Sequence, residues 1–151
     1  MWMDERTLFA EATALSTSGT GLQLVGNVID LGNVRDIGAS ENIWLVILVT
    51  TAVTSGGAAT VAFSLASDST ASVATDGSAS VHWTGSAIGK ATLVAGYEVA
   101  KIMIPLEGET AYERYLGILA NVGTAALTAG AVTAFLTTRP PVRKIYPNAV
   151  E

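Results

Sequence analysis

The chain has 151 residues, 50% of them hydrophobic and only 14% charged, with a net charge of −5 and no cysteine. A chain this long forms one domain with a core of its own, and the missing cysteines exclude disulfides and thiolate metal sites. The eight basic residues are scattered and make no positive stripe for phosphate contacts, which argues against nucleic acid as a partner.

Residues 1–15 include Asp4, Glu5 and Glu11 and lack the basic region and apolar core of a signal peptide. They are expected to form an N-terminal arm or a short helix, the arm leading into a first strand. Residues 22–31 read as a strand that turns at Gly32-Asn33. Residues 43–53 are β-branched and apolar on both faces, as in a central strand covered on each side. Ser55-Gly56-Gly57 then predicts a hairpin turn. Residues 60–66 alternate, with Val61, Phe63 and Leu65 on one face and Ala62, Ser64 and Ala66 on the other. Residues 67–80 are small and polar and predict a long loop.

A short strand is expected over 81–84, and another over 97–106, where Pro105 ends it because proline cannot donate to a ladder. Residues 113–122 read as a strand with Leu116, Ile118, Ala120 and Val122 inward, and 131–137 as the last strand, after a turn at 127–130. This pattern predicts an all-β fold, a jelly-roll-like β-sandwich of about eight strands over residues 16–138. Residues 139–151 are expected to form an extended C-terminal tail, because Pro140, Pro141 and Pro147 prevent regular structure. Neither long apolar stretch reads as a membrane span. Residues 43–53 fall short of the ~20 a helix needs, and 118–136 carry Asn121, Gly123, Thr124, Thr128, Gly130 and Thr133. A soluble protein with no membrane partner is expected.

Catalytic chemistry lacks its parts. His82 is the single histidine and lies beside Trp83 in a strand whose alternation should turn one of the two inward. A hydrogen-bonded structural imidazole is the expected role. Glu107, Glu109 and Glu113, with Asp68 and Asp76 in the long loop, offer carboxylates for glycoside hydrolysis or calcium. Their loop positions, and the lack of a D-x-D-x-D-G series, favour solvated charge. Ser18-Gly19-Thr20-Gly21 has no Lys-Ser/Thr after it and reads as a turn, not a phosphate loop. One histidine and no cysteine leave zinc short of ligands. No enzyme activity, cofactor or metal is expected.

Among the aromatics, Trp44 and Phe63 are expected in the core, and Trp2 and Tyr146 as anchors on the terminal arms. Residues 1–8 and 139–151 are therefore expected to contact other subunits, with Trp2, Arg139, Arg143, Lys144, Ile145 and Tyr146 as interface residues. The adjacent pairs Arg35-Asp36 and Glu113-Arg114 are expected either to fix strand-end loops or to lie exposed.

The run Asn27-Val28-Ile29-Asp30-Leu31-Gly32, followed by Arg35-Asp36-Ile37-Gly38 and an apolar strand, resembles the Bbp16-like family of phage capsid cement proteins. So do Ala95-Gly96-Tyr97 opening a strand that ends in Ile104-Pro105, and Glu113-Arg114-Tyr115-Leu116 leading to Leu127-Thr128-Ala129-Gly130. The similarity runs in order over residues 7–138 and departs in the loop 67–80 and the tail. The resemblance implies a jelly roll that assembles as a homotrimer on the capsid exterior, where major capsid proteins meet. It implies no catalysis. Such a protein is made in the host cytoplasm and resides in the virion. The competing reading is a receptor- or carbohydrate-binding β-sandwich of a phage tail or attachment complex, whose mark would be exposed coplanar Trp and Tyr on one loop face.

Overall fold

Alternating apolar residues need two surfaces to hide between, and the fold supplies them as two antiparallel sheets packed face to face. The computed structural model describes residues 4–39 and 42–141. One sheet holds β1 (Leu8–Ala14), β3 (Trp44–Thr54), β7 (Glu98–Met103) and β9 (Ala129–Thr137), in the order β1-β9-β3-β7. The other holds β2 (Gly21–Asp30), β4 (Thr60–Asp68), β5 (Ser80–Thr84) and β8 (Tyr115–Gly123), in the order β2-β8-β4-β5. A two-residue strand, β6 (Ile88–Gly89), pairs with the start of β4. No helix among the described residues is long and apolar enough to cross a membrane.

The core lies between the sheets. Leu45, Ile47, Val49 and Val53 of β3 and Val132, Ala134 and Leu136 of β9 meet Val61, Phe63 and Leu65 of β4 there. Leu116, Ile118, Ala120 and Val122 of β8 join them, as their alternation predicts. Each fully buried large side chain contributes roughly 1.5–3 kcal/mol by leaving water. Trp44 departs from expectation. With Leu45, Ile47 and Val49 turned inward, strand parity places Trp44 on the outer face of its sheet, opposite Thr137 and Met103. It is half-buried there and outside the core cluster.

Two further expectations are corrected by the pairing. Ser55-Gly56-Gly57 closes no hairpin, because β3 and β4 belong to different sheets and the turn carries the chain across the sandwich. Ser55 Oγ donates to the Ala126 carbonyl at 2.6 Å, fastening this crossover to the β8–β9 connection, which crosses between the same two sheets. Near the N-terminus, Asp4 caps one turn of 3-10 helix, Glu5–Thr7, and the chain then enters β1 directly. Residues 8–14 thus belong to the sandwich, which begins well before residue 16. Register shifts at Leu8/Ala10 and Ala10/Thr13 break the alternation that would have marked this strand.

A satellite core forms on the outer face of the second sheet. The loop between β4 and β5 folds back so that Val73, only 2% exposed, packs with Ala66, Ala79 and Leu119, against Leu22, Leu24 and Val28. Asp68 holds this loop in shape, Oδ1 accepting from Thr70 N at 3.1 Å and Oδ2 from Ala74 N at 3.0 Å. Asp76 does the same locally, accepting from Ser78 N at 2.9 Å.

Candidate functional site

Register places several connections at one end of the sandwich. The pairings Leu8↔Phe135, Trp44↔Thr137, Trp44↔Met103, Asp30↔Tyr115 and Asp68↔Tyr115 bring together the start of β1, the ends of β7 and β9, and the loops 31–43, 69–79 and 104–114. Interstrand loops carry recognition more often than the sheets that hold them.

Asp36 stitches two of these loops together. Its Oδ1 accepts from Gly38 N at 2.9 Å and, across the gap, from Glu107 N at 3.1 Å. Gly38 is required by close approach, since a Cβ there would run into the Pro105 carbonyl. The same carbonyl accepts from the fully buried Tyr112 hydroxyl at 2.7 Å. Burial, seconded by the nearby Asp36 and Glu107 carboxylates, drives the Tyr112 phenol well above its ordinary value.

His82 sits behind this phenol. A bulge separates the pairs Leu65↔Trp83 and Ala66↔Val81 and leaves His82 as the extra residue of β5. One of the two, Trp83, turns inward as expected, and the bulge redirects the other. Trp83 packs against the core, and His82 stacks on Tyr112 with ring centroids 3.8 Å apart. Its Nε2 lies 2.7 Å from Ser67 Oγ, which also accepts from Glu113 N at 2.9 Å. Burial holds the imidazole below its ordinary value, against the pull of Glu107, Glu113 and Asp36.

A hydroxyl beside an imidazole invites a nucleophile–base reading, but Ser67 is fully buried and engaged on both sides, so no substrate atom reaches it. The pair fastens β4, β5 and the β7–β8 connection to one another. The groove beside it is lined by Val81, His82, Leu106, Gly108, Glu109 and Thr110. Among the described residues, no three His, Asp or Glu side chains converge as a metal would need. Asp68 and Asp76 spend their oxygens on the loop, and those bonds hold both carboxyls below the ordinary carboxylate value.

Arg114 does not pair with its neighbour Glu113. It grips Asp30 across the strand ends, Nε to Oδ1 and Nη2 to Oδ2, both at 2.8 Å. This bidentate bond, with help from Gly32 N, holds the Asp30 carboxyl at about 2. Glu113 accepts from Ser80 Oγ at 2.7 Å instead, and Asp36 binds backbone N–H groups in place of Arg35.

The expected interface residues are only partly within view. Arg139 is exposed, and its N–H donates to Thr137 Oγ1 at 3.1 Å, turning the chain as it leaves β9. Lys101 Nζ then donates to the Pro141 carbonyl at 3.2 Å, which draws the chain toward β7. Trp2, Arg143, Lys144, Ile145 and Tyr146 lie outside the described residues. None of the described tryptophans or tyrosines is exposed, so the aromatic face that would mark a sugar binder does not occur among them. The Ser67–His82–Tyr112 cluster escaped sequence reading because its members are 15 and 30 residues apart. The one signal was His82 itself, expected as a hydrogen-bonded structural imidazole, which its contact with Ser67 bears out.

Residues 9–136 match the family model described as Bbp16. No curated protein matches the chain.

Proposed function

The chain belongs to the Bbp16 family, and on that premise we propose that it is a non-catalytic structural cement protein of a tailed-phage capsid. It would bind the outer shell between major capsid proteins, as a homotrimer, after synthesis in the host cytoplasm. The observation that carries this reading is the extent of the family match, which takes in nearly the whole of both sheets from β1 to β9.

The topology favours the same reading. With the two-residue β6 set aside, the eight long strands run first-eighth-third-sixth in one sheet and second-seventh-fourth-fifth in the other. That order supports a jelly roll, a fold that recurs in capsid proteins. Its rigid two-layered body suits a part that must resist deformation, while chain ends that leave the sheets can reach a partner at little cost to the fold.

The decisive experiment is stoichiometric. Particles are purified from an infected host, and this chain is quantified by mass spectrometry against the shell subunit. Copies in fixed proportion to the shell, with density on its outer surface by cryo-electron microscopy, are expected. Absence from particles, or the handful of copies found at a tail, would overturn the assignment.

A further inference from the structure

We propose that His82 is an acid-sensitive latch on the β7–β8 connection: the neutral imidazole holds residues 105–113 against the sandwich, and protonation loosens them. The hydrogen bonds give the mechanism. Ser67 Oγ accepts the Glu113 N–H, and with the neutral ring's proton on Nδ1 its own proton goes to His82 Nε2, the one acceptor beside it among the described residues. That requires an unprotonated Nε2. Once Nε2 carries a proton it can only donate, so Ser67 Oγ must take two donors while its own buried proton loses its acceptor. The loop depends on the same contacts, because Glu113 N bonds to Ser67 and the Tyr112 ring stacks on the imidazole.

Every element packed around His82 contributes. From β4 comes Ser67, and from β5 comes Ser80, which binds Glu113. The β7–β8 connection brings Tyr112 and the carboxylates of Glu107, Glu109 and Glu113, and the β2–β3 connection brings Asp36. These acids attract an imidazolium, while burial opposes it more strongly. The acids also give the charged ring somewhere to go, since Glu109 shares its groove with His82. The segment released is an exposed one, from Leu106, 67% accessible, through Ala111.

The sign follows from linkage. His82 titrates lower in the folded protein than in the unfolded chain, so the unfolded or opened form binds the extra proton. Stability of the latch is complete above about pH 6.5 and is lost as pH falls from there toward the folded value. Local opening then grows by up to about tenfold for each unit that separates the two titrations.

The test is amide hydrogen exchange on the isolated full chain at about pH 7.5 and about pH 5, corrected for the intrinsic pH dependence of exchange, so its outcome does not depend on the capsid reading. Protection over 105–113 should fall on acidification in the wild type and hold steady in His82→Gln, which cannot take up a proton. Unchanged protection in the wild type, or an equal loss in both proteins, overturns the latch. If the variant fails to fold, NMR titration of the wild-type ring decides. A midpoint below the ordinary value that coincides with shifts in the loop amides supports the proposal, and a midpoint at or above about 6.5 overturns it.

Discussion

Gly26 and Gly32 both hold positive φ, +68° and +77°, yet their surroundings differ. Gly26 lies in the bulge of β2 between Val25 and Ile29, and an added Cβ would strike the Phe9 carbonyl and come within 3.0 Å of Ala10 Cβ. Gly32 faces open space. The left-handed backbone costs a side chain about 1–2 kcal/mol at either site, so Gly32→Ala should cost about that much. Gly26→Ala should cost about 3 kcal/mol or more, because β1 must move away from β2. Urea unfolding of both variants separates backbone strain from collision, and equal losses would show that the two strands do not pack as closely as described. Asp30 supports a second prediction at this scale. Its carboxyl is depressed from 3.8 to about 2 by Arg114, so the stability it contributes is complete above about pH 4 and is lost as pH falls toward 2. Replacing it by Asn should flatten the acid limb of a stability-against-pH curve in that window and leave the curve near neutrality with the same slope.

Among the elements, the β4–β5 loop makes the clearest case for local anchoring. Val73 is its apolar anchor on the second sheet, and Gly117 leaves room for it, since a Cβ there would press on Val73 Cγ2 at 3.0 Å. Val73→Ala removes two methyl groups from a buried site and should cost about 1–2.5 kcal/mol. Much of that loss should appear as faster proteolysis within 69–79; cutting at the wild-type rate would argue that the two aspartates alone hold the loop. Sequence patterning showed that a loop lies here but not that it packs, because one valine in a run of Ser, Thr and Ala carries no periodicity. The strands around it were legible for the opposite reason. The alternation in 60–66 and 113–122 lasts several turns of the pleat, and those residues line the core as predicted. Which strands pair was not legible, since the choice between hairpin and crossover at 55–57 depends on partners more than 60 residues away. Trp44 was misplaced because an apolar run such as 43–53 gives no parity of its own. The site was less legible than the fold. Arg114 could be seen as a charge at a strand end, but its partner Asp30 lies 84 residues away and becomes a neighbour only through β2–β8 pairing.

At the scale of the whole molecule, the sheets and the chain beyond them are held by different means. From Leu8 to Thr137 the strands pair within the two sheets, whereas over residues 138–141 the hydrogen bonds are those of the turn at Arg139 and the bond from Lys101 to Pro141. Three of the eight basic residues, Arg139, Arg143 and Lys144, fall in the last 13 positions of an otherwise acidic chain. A sequence that gathers basic and apolar side chains in this way is better suited to a partner's surface than to a core. Deleting residues 142–151 should therefore leave the melting temperature within about 2 °C of wild type, less than 1 kcal/mol for a domain of this size. Binding to capsids lacking the protein should weaken by about tenfold or more, equivalent to some 1.4 kcal/mol of lost contact. The pair of measurements separates the possibilities. If the melting temperature falls together with binding, the segment is part of the fold, and if binding is unchanged, the segment has no part in the proposed shell contact. Loss of binding at constant stability is the outcome expected of a tail that holds the protein to its neighbours.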